Sequence, residues 1–280
     1  MNNFDKFNKI RNGANRRTLG INNESVVSGD NGFKFLHVLW LYPDVLNIHG
    51  GRGDIMGLLH ICNMLDIPVE IERWDTLRND IPWEWPDLIF INSGELKCVE
   101  DVVKSLERQR AGLDQFIEKG KYMIAIASSG AILAESTEKL DGSIVKGLGL
   151  LGMKWKERES VWGDDIWFKT EDGFDVIGNQ IQVADVHLNP GQKPLGQIVY
   201  GRGNDGTGEE GARTGNVLFT SCLGPFVTKN PEYVATLLKG AASDAGLKVT
   251  GEITDSDIEI EKKSAEYIKN FMLDKLNKSE

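Results

Sequence analysis

A chain of 280 residues, 40% of them hydrophobic, is long enough to bury one sizeable core, so a single α/β domain with tails is expected. A formal net charge of −10 without a basic stripe argues against a nucleic-acid partner. Three cysteines, odd in number and widely spaced (Cys62, Cys98, Cys222), imply neither a disulfide framework nor a zinc site, and they fit a reducing, cytoplasmic setting.

Residues 1–32 are polar, rich in Asn, Gly, Ser and Arg and without sustained periodicity, which predicts a flexible arm made locally basic by Arg11, Arg16 and Arg17. The opening residues lack the apolar core of a signal peptide, and no apolar run approaches the length of a bilayer. A strand is predicted from Phe33 to Leu41, followed by a loop of turn formers through Asp54 and a helical pattern from Ile55 to Leu65. Val69 to Arg73 and Leu88 to Asn92 read as further strands, and Glu100 to Lys119 as one amphipathic helix. Strand and helix alternate, so parallel pairing is the economical topology.

Lys121 to Glu135 organises the chain. Its apolar run, Tyr122 to Ala127, suits a strand buried on both faces. Ser128, Ser129 and Gly130 then make a sharp turn before apolar residues resume at helical spacing. Two readings stand side by side. Ser128 is the exposed residue of a nucleophile elbow, next to the unpaired N–H groups of a helix start, or the segment is an ordinary βα turn capped by Ser128 or Ser129.

From Gly147 to about Tyr200 short strand-like runs (165–169, 175–176, 181–186, 196–200) are separated by Gly, Asp, Asn and Pro, which predicts a β-rich excursion. Gly201 to Gly215 is glycine-rich. No Gly-Lys-Ser/Thr follows, and Glu209 with Glu210 would repel phosphate, so a flexible hairpin or loop is preferred over a phosphate cradle. Asn216 to Cys222 is the last apolar strand and Pro231 to Ala245 a closing helix. Asp255 to Leu276 aligns Ile258, Ala265, Ile268, Met272 and Leu276 on one face, which covers either its own domain or a partner. The organisation is thus an arm (1–32), a domain (33–250) and a C-terminal helical extension (251–280).

Several segments, taken in order, carry a resemblance: Leu41-Tyr42-Pro43-Asp44-Val45-Leu46-Asn47, Gly51-Arg52-Gly53-Asp54, Asp87 to Gly94, Gly147 to Leu151, Pro194-Leu195-Gly196, and Leu223-Gly224-Pro225 with Lys229-Asn230-Pro231. Together these resemble class I glutamine amidotransferases of the CobB/CobQ type, and among them most closely the GatD glutaminase subunits of the bacterial complex that amidates lipid II. The resemblance runs from about Phe35 to Leu238. It implies a three-layer, flavodoxin-like α/β fold with a mostly parallel sheet and a β-rich later half.

For the site, the resemblance implies a nucleophile at the elbow, with Ser128 in place of the family's cysteine. It also implies a base at His187, an oxyanion loop at Gly94, and a glutamine pocket that includes Ser129 and Arg158, the arginine clamping the substrate carboxylate. The other reading of His187 is a solvent-facing strand residue, and of Arg158 a surface arginine. The family often has a histidine where Leu223 stands.

A serine hydroxyl is far less acidic than a thiol, so attack by Ser128 demands a well-oriented base with a third group behind it. Asp185 and Asn189, each two residues from His187, share its face in a strand and are the candidates. Cys98 follows the oxyanion loop without matching the family's nucleophile, while Cys62 and Cys222 read as core residues.

The implied partners are L-glutamine and an ATP-using, Mur-ligase-like synthetase subunit. No cofactor or metal is implied. Three functions compete: an ammonia-supplying amidotransferase subunit, a catalytically silent relative that serves as a binding or scaffold subunit, and a serine hydrolase acting on another amide or ester.

Overall fold

In a computed structural model of the chain, residues 16–20 and 34–279 are described. The first half runs β1 (Arg16–Gly20), β2 (Leu36–Leu41), α1 (Gly51–Met64), β3 (Val69–Trp74), β4 (Leu88–Ile91), α2 (Val99–Glu107), α3 (Arg110–Glu118), β5 (Tyr122–Ile126) and the single turn α4 (Gly130–Leu133). The second half runs β6 (Ser136–Glu138), β7 (Ile144–Lys146), β8 (Met153–Thr170), β9 (Asp175–Leu188), β10 (Gly196–Tyr200), β11 (Glu209–Glu210), β12 (Ala212–Thr214), β13 (Val217–Thr220), α5 (Phe226–Lys229), α6 (Pro231–Asp244) and α7 (Glu259–Ser279).

The main sheet has the order β1-β3-β2-β4-β5-β13-β12. Its five inner strands pair in parallel, and β1 and β12 close the edges antiparallel. Alternation along β2 shows why three layers form. Leu36, Val38 and Trp40 join the cluster built with α1 and α6, whereas Leu39 and Leu41 join the cluster built with α2 and α3. The architecture is therefore the expected three-layer α/β fold with a β-rich later half.

Because β2 lies between β3 and β4, the order reverses there. The loops leaving the carboxyl ends of β2 and β4 thus flank the crevice where such sheets place their ligands. The start of α1 presses into this crevice: a Cβ at Gly51 would lie 2.7 Å from Asn92 Cγ, and one at Gly53 2.5 Å from Pro225 Cγ. Side-chain-free residues there let α1 begin four residues before the expected Ile55.

Several expectations change in detail. The helix expected over 100–119 is two helices, broken where Gln109 turns inward. Its Oε1 accepts from Ile81 N at 2.6 Å and its Nε2 donates to Ser105 O at 3.2 Å. The short strands expected after Gly147 are largely one hairpin, β8 with β9, continuous apart from a bulge between Glu157 and Trp162. Its outward face is solvated, so polar residues interrupt the apolar pattern without ending the strands.

The glycine-rich loop is ordered by Asn204, which is 2% exposed and exchanges two hydrogen bonds with the Gly211 backbone at 2.8 and 2.9 Å. Within the segment expected as an arm, Arg16–Gly20 forms the edge strand β1, and the remainder of that segment lies outside the described residues. Ile258, in the turn just before α7, and Met272 within it are 2% and 0% exposed, packed on the chain's own domain. Lys269–Asp175 and Lys275–Asp164 ion pairs hold it to the β-excursion. Among the described residues no helix is long and apolar enough to cross a membrane.

Candidate active site

Every residue of β5 is buried, and the strand ends in a tight turn over Ala127–Ser129 that leads into α4. Ala127 has φ +49°, in the left-handed region that non-glycine residues enter at a cost of about 1 kcal/mol or more. Helix α4 is only one turn long, so it supplies little of the helix-start electrostatics expected at this point. Ser129 turns inward, its single hydroxyl proton shared between Ile91 O at 3.0 Å and Ile126 O at 2.9 Å. It locks the turn rather than facing a ligand.

Ser128 is half-buried and meets the loop after β4. Its Oγ accepts from Gly94 N at 3.0 Å, donates to Gly94 O at 2.5 Å and lies 2.9 Å from Ser93 Oγ. Among the described residues these are its hydrogen-bond partners, and none is a base. That loop is itself braced from below. Trp40 Nε1 donates to Asn92 Oδ1 at 2.6 Å, and Asn92 Nδ2 donates to Asp54 Oδ2 at 3.2 Å. Asp54 Oδ1 also accepts from Val227 N at 2.9 Å, which ties the start of α1 to both the Asn92–Gly94 loop and the start of α5. Burial pushes the Asp54 carboxyl up to about 7, against the lowering effect of these two hydrogen bonds.

His187 stands elsewhere. Ala184 and Val186 of β9 pack in the cluster that holds Ala131, Ile132 and Leu133 of the elbow. Alternation then directs Asp185 and His187 to the opposite, outward face of the excursion. The imidazole is 51% exposed, with Nδ1 3.0 Å from Asp205 Oδ2. Burial raises the Asp205 carboxyl, but hydrogen bonds from Thr207 and His187 outweigh it and hold the group below the usual carboxylate range. The orienting group is thus Asp205, not Asp185 or Asn189. Asn189 Nδ2 donates to Glu135 at 2.7 Å.

Arg158 is also committed. Its NH1 lies 2.8 and 3.0 Å from the two oxygens of Asp185, whose Oδ1 accepts from Arg202 as well, at 2.9 and 3.2 Å. The structure therefore brings together Gly94, Ser128 and Ser129. It sets His187 of β9, and Arg158 of β8 paired with Asp185, on the outer face of the β8–β9 hairpin, where neither is a hydrogen-bond partner of the elbow.

Two of the three cysteines are ruled out as substitute nucleophiles. Cys62 and Cys222 are fully buried, and burial pushes the Cys62 thiol up to about 12. Burial and the neighbouring Glu210 push Cys222 well above its ordinary value. Among the described residues no cluster of three or more His, Cys, Asp or Glu side chains is arranged to hold a metal ion. A cavity of about 550 Å³ opens at the ends of β2 and β3, lined by Asp44, Arg73, Asp75 and Arg78, and it includes none of the elbow residues.

Ser93, Asp205 and Asp54 are participants that sequence reading missed. The Asp205-x-Thr207 spacing, typical of an Asx turn, is the one local signal among them.

The fold and its elbow define an α/β, class I glutamine amidotransferase-like architecture. Among solved structures, PurLQS from Thermotoga maritima shares the fold at a TM-score of 0.50 and 11% identity, over 75% of this chain and 99% of that one. No family model matches the chain. It is 26% identical over 222 residues to the lipid II isoglutaminyl synthase (glutamine-hydrolyzing) subunit GatD of Streptococcus pneumoniae (strain ATCC BAA-255 / R6), covering 78% of this chain and 85% of that protein. To the subunit of the same name from Staphylococcus aureus (strain N315) it is 25% identical over 232 residues, 81% of this chain and 94% of that protein.

Proposed function

We propose that this chain is a GatD-like subunit of CobB/CobQ-type amidotransferase descent. It works beside a Mur-ligase-like synthetase in amidating a lipid-linked cell-wall precursor at the inner face of the membrane, and it does not itself hydrolyse glutamine. Similarity to two GatD subunits across most of their length supports the role in the assembly. The observation that carries the silent-site reading is the state of Ser128. Its hydroxyl is held by the Gly94 backbone, and the histidine that would take its proton points out of the opposite face of β9. A serine without a base in reach is not a nucleophile at neutral pH.

A second reading, delivery of ammonia from glutamine to the partner, is favoured by the name of the GatD relatives. Ammonia release from glutamine by the purified chain, alone and with the synthetase, separates the two. No release above background is expected in either case. Turnover that Ser128→Ala abolishes would restore the hydrolytic reading.

A further inference from the structure

The backbone of the elbow pivots one residue before the serine. The left-handed φ of +49° belongs to Ala127, whereas Ser128 is not among the residues of positive φ and Ser129 is helical at φ −69°. In a strand–turn–helix elbow the nucleophile stands on the strained pivot. The oxyanion is received by the N–H of the residue after it, together with an N–H from a neighbouring strand loop. In this chain those donors correspond to Ser128 N–H and Gly94 N–H. The second is already taken, because Gly94 N–H donates to Ser128 Oγ at 3.0 Å.

Around the pivot the lining is apolar. Ala127 and Leu223, 5% and 4% exposed, belong to one hydrophobic cluster with Ile126 and Cys222. We propose that residue 127 is the reacting position of this fold, reduced here to alanine, and that the Ser128 hydroxyl is an internal plug of the oxyanion cradle. The inference rests on the amidotransferase-like reading of the site, and it moves the reacting position from Ser128 to Ala127.

The plug is tested without building a new nucleophile. In Ser128→Ala the Gly94 amide loses its acceptor, so its hydrogen exchange should accelerate by about tenfold or more, while Ser128→Thr, which keeps a hydroxyl, should stay near wild type. Unchanged Gly94 exchange in a folded Ser128→Ala protein overturns the plug.

The reacting position is tested by comparing Ala127→Cys/Ser128→Gly with Ser128→Cys in the full chain. Each is treated separately with iodoacetamide and with a chloromethyl ketone derived from glutamine. In either reaction the thiolate forms an S–C bond, halide leaves, and the thiol proton goes to solvent. Peptide mass spectrometry locates the adduct, and half-buried Cys98 serves as the internal reference.

In the double variant the loss of the Ser128 side chain frees the Gly94 N–H and opens space beside residue 127. The thiolate there gains a donor and should react about tenfold faster than Cys98 with both reagents, and the one at 128 should not. Faster labelling at 128, or a thiol at 127 no more reactive than Cys98 in a folded variant, overturns the assignment. Reaction at 127 with iodoacetamide but not with the glutamine reagent keeps the assignment and counts against the glutamine-related function.

Discussion

Asp54 is the residue whose removal most directly probes how the crevice is held. It is 3% exposed, accepts from Asn92 Nδ2 and Val227 N, and burial places its folded value at about 7 against an ordinary 3.8. A carboxyl whose folded value is raised binds its proton more tightly folded than unfolded. Its favourable contribution is therefore complete below the unfolded value, declines as pH rises, and levels off above about pH 7. At 1.36 kcal/mol per pH unit the full span is about 4 kcal/mol, and the part falling between pH 5 and pH 8 is about 2.5 kcal/mol.

Asp54→Asn does not titrate. It places an amide against the Asn92 amide, a fixed cost of about 1–3 kcal/mol independent of pH. Urea unfolding of both proteins at pH 5 and pH 8 then isolates the titrating part. The wild type should lose about 2.5 kcal/mol relative to the variant over that interval, a shift of roughly 1 M in midpoint at an m-value near 2.5 kcal/mol/M. Parallel pH dependences would refute the reasoning, because they would mean that the carboxylate in this network is no harder to ionise folded than unfolded.

Two packing predictions accompany it. A Cβ at Gly130 would lie 2.3 Å from the Phe219 ring and 2.8 Å from Trp155. Gly130→Ala should thus destabilise the chain by about 1–3 kcal/mol in denaturant unfolding, and a neutral result would show that the elbow can yield. Met272 of α7 is fully buried, so Met272→Ala should cost about 2–5 kcal/mol. If α7 opens on its own, the cost will appear as faster proteolysis and amide exchange confined to α7 rather than as a lower global midpoint.

Much of the architecture was legible in the chain itself. The run Tyr122–Ile126 announced a strand buried on both faces, and Phe33 onward announced alternating strands and helices. Both signals depend only on side-chain period, which local sequence carries. The order of the matching segments from Leu41 to Pro231 anticipated the amidotransferase-like fold. The break at Gln109 was not legible, because the hydrogen bond that turns its side chain inward comes from Ile81, 28 residues away in sequence. Nor was the continuity of the β8–β9 hairpin, whose solvated face erased the apolar pattern.

For the site, parity along β9 already put Asp185 and His187 on one face, but which face covers the elbow is a property of packing. The burial of Ala184 and Val186 in the hydrophobic cluster that also holds α4 decided it. Residue type alone left Ser128, Arg158 and His187 free to act. Their partners, Gly94, Asp185 and Asp205, are 34, 27 and 18 residues distant, and only the folded chain fixes which of them each side chain meets. Local composition and periodicity thus determined the elements and their layers. The direction of each polar group was settled by contacts between distant segments, because a side chain's hydrogen-bond partner depends on tertiary register and not on its own neighbours in sequence.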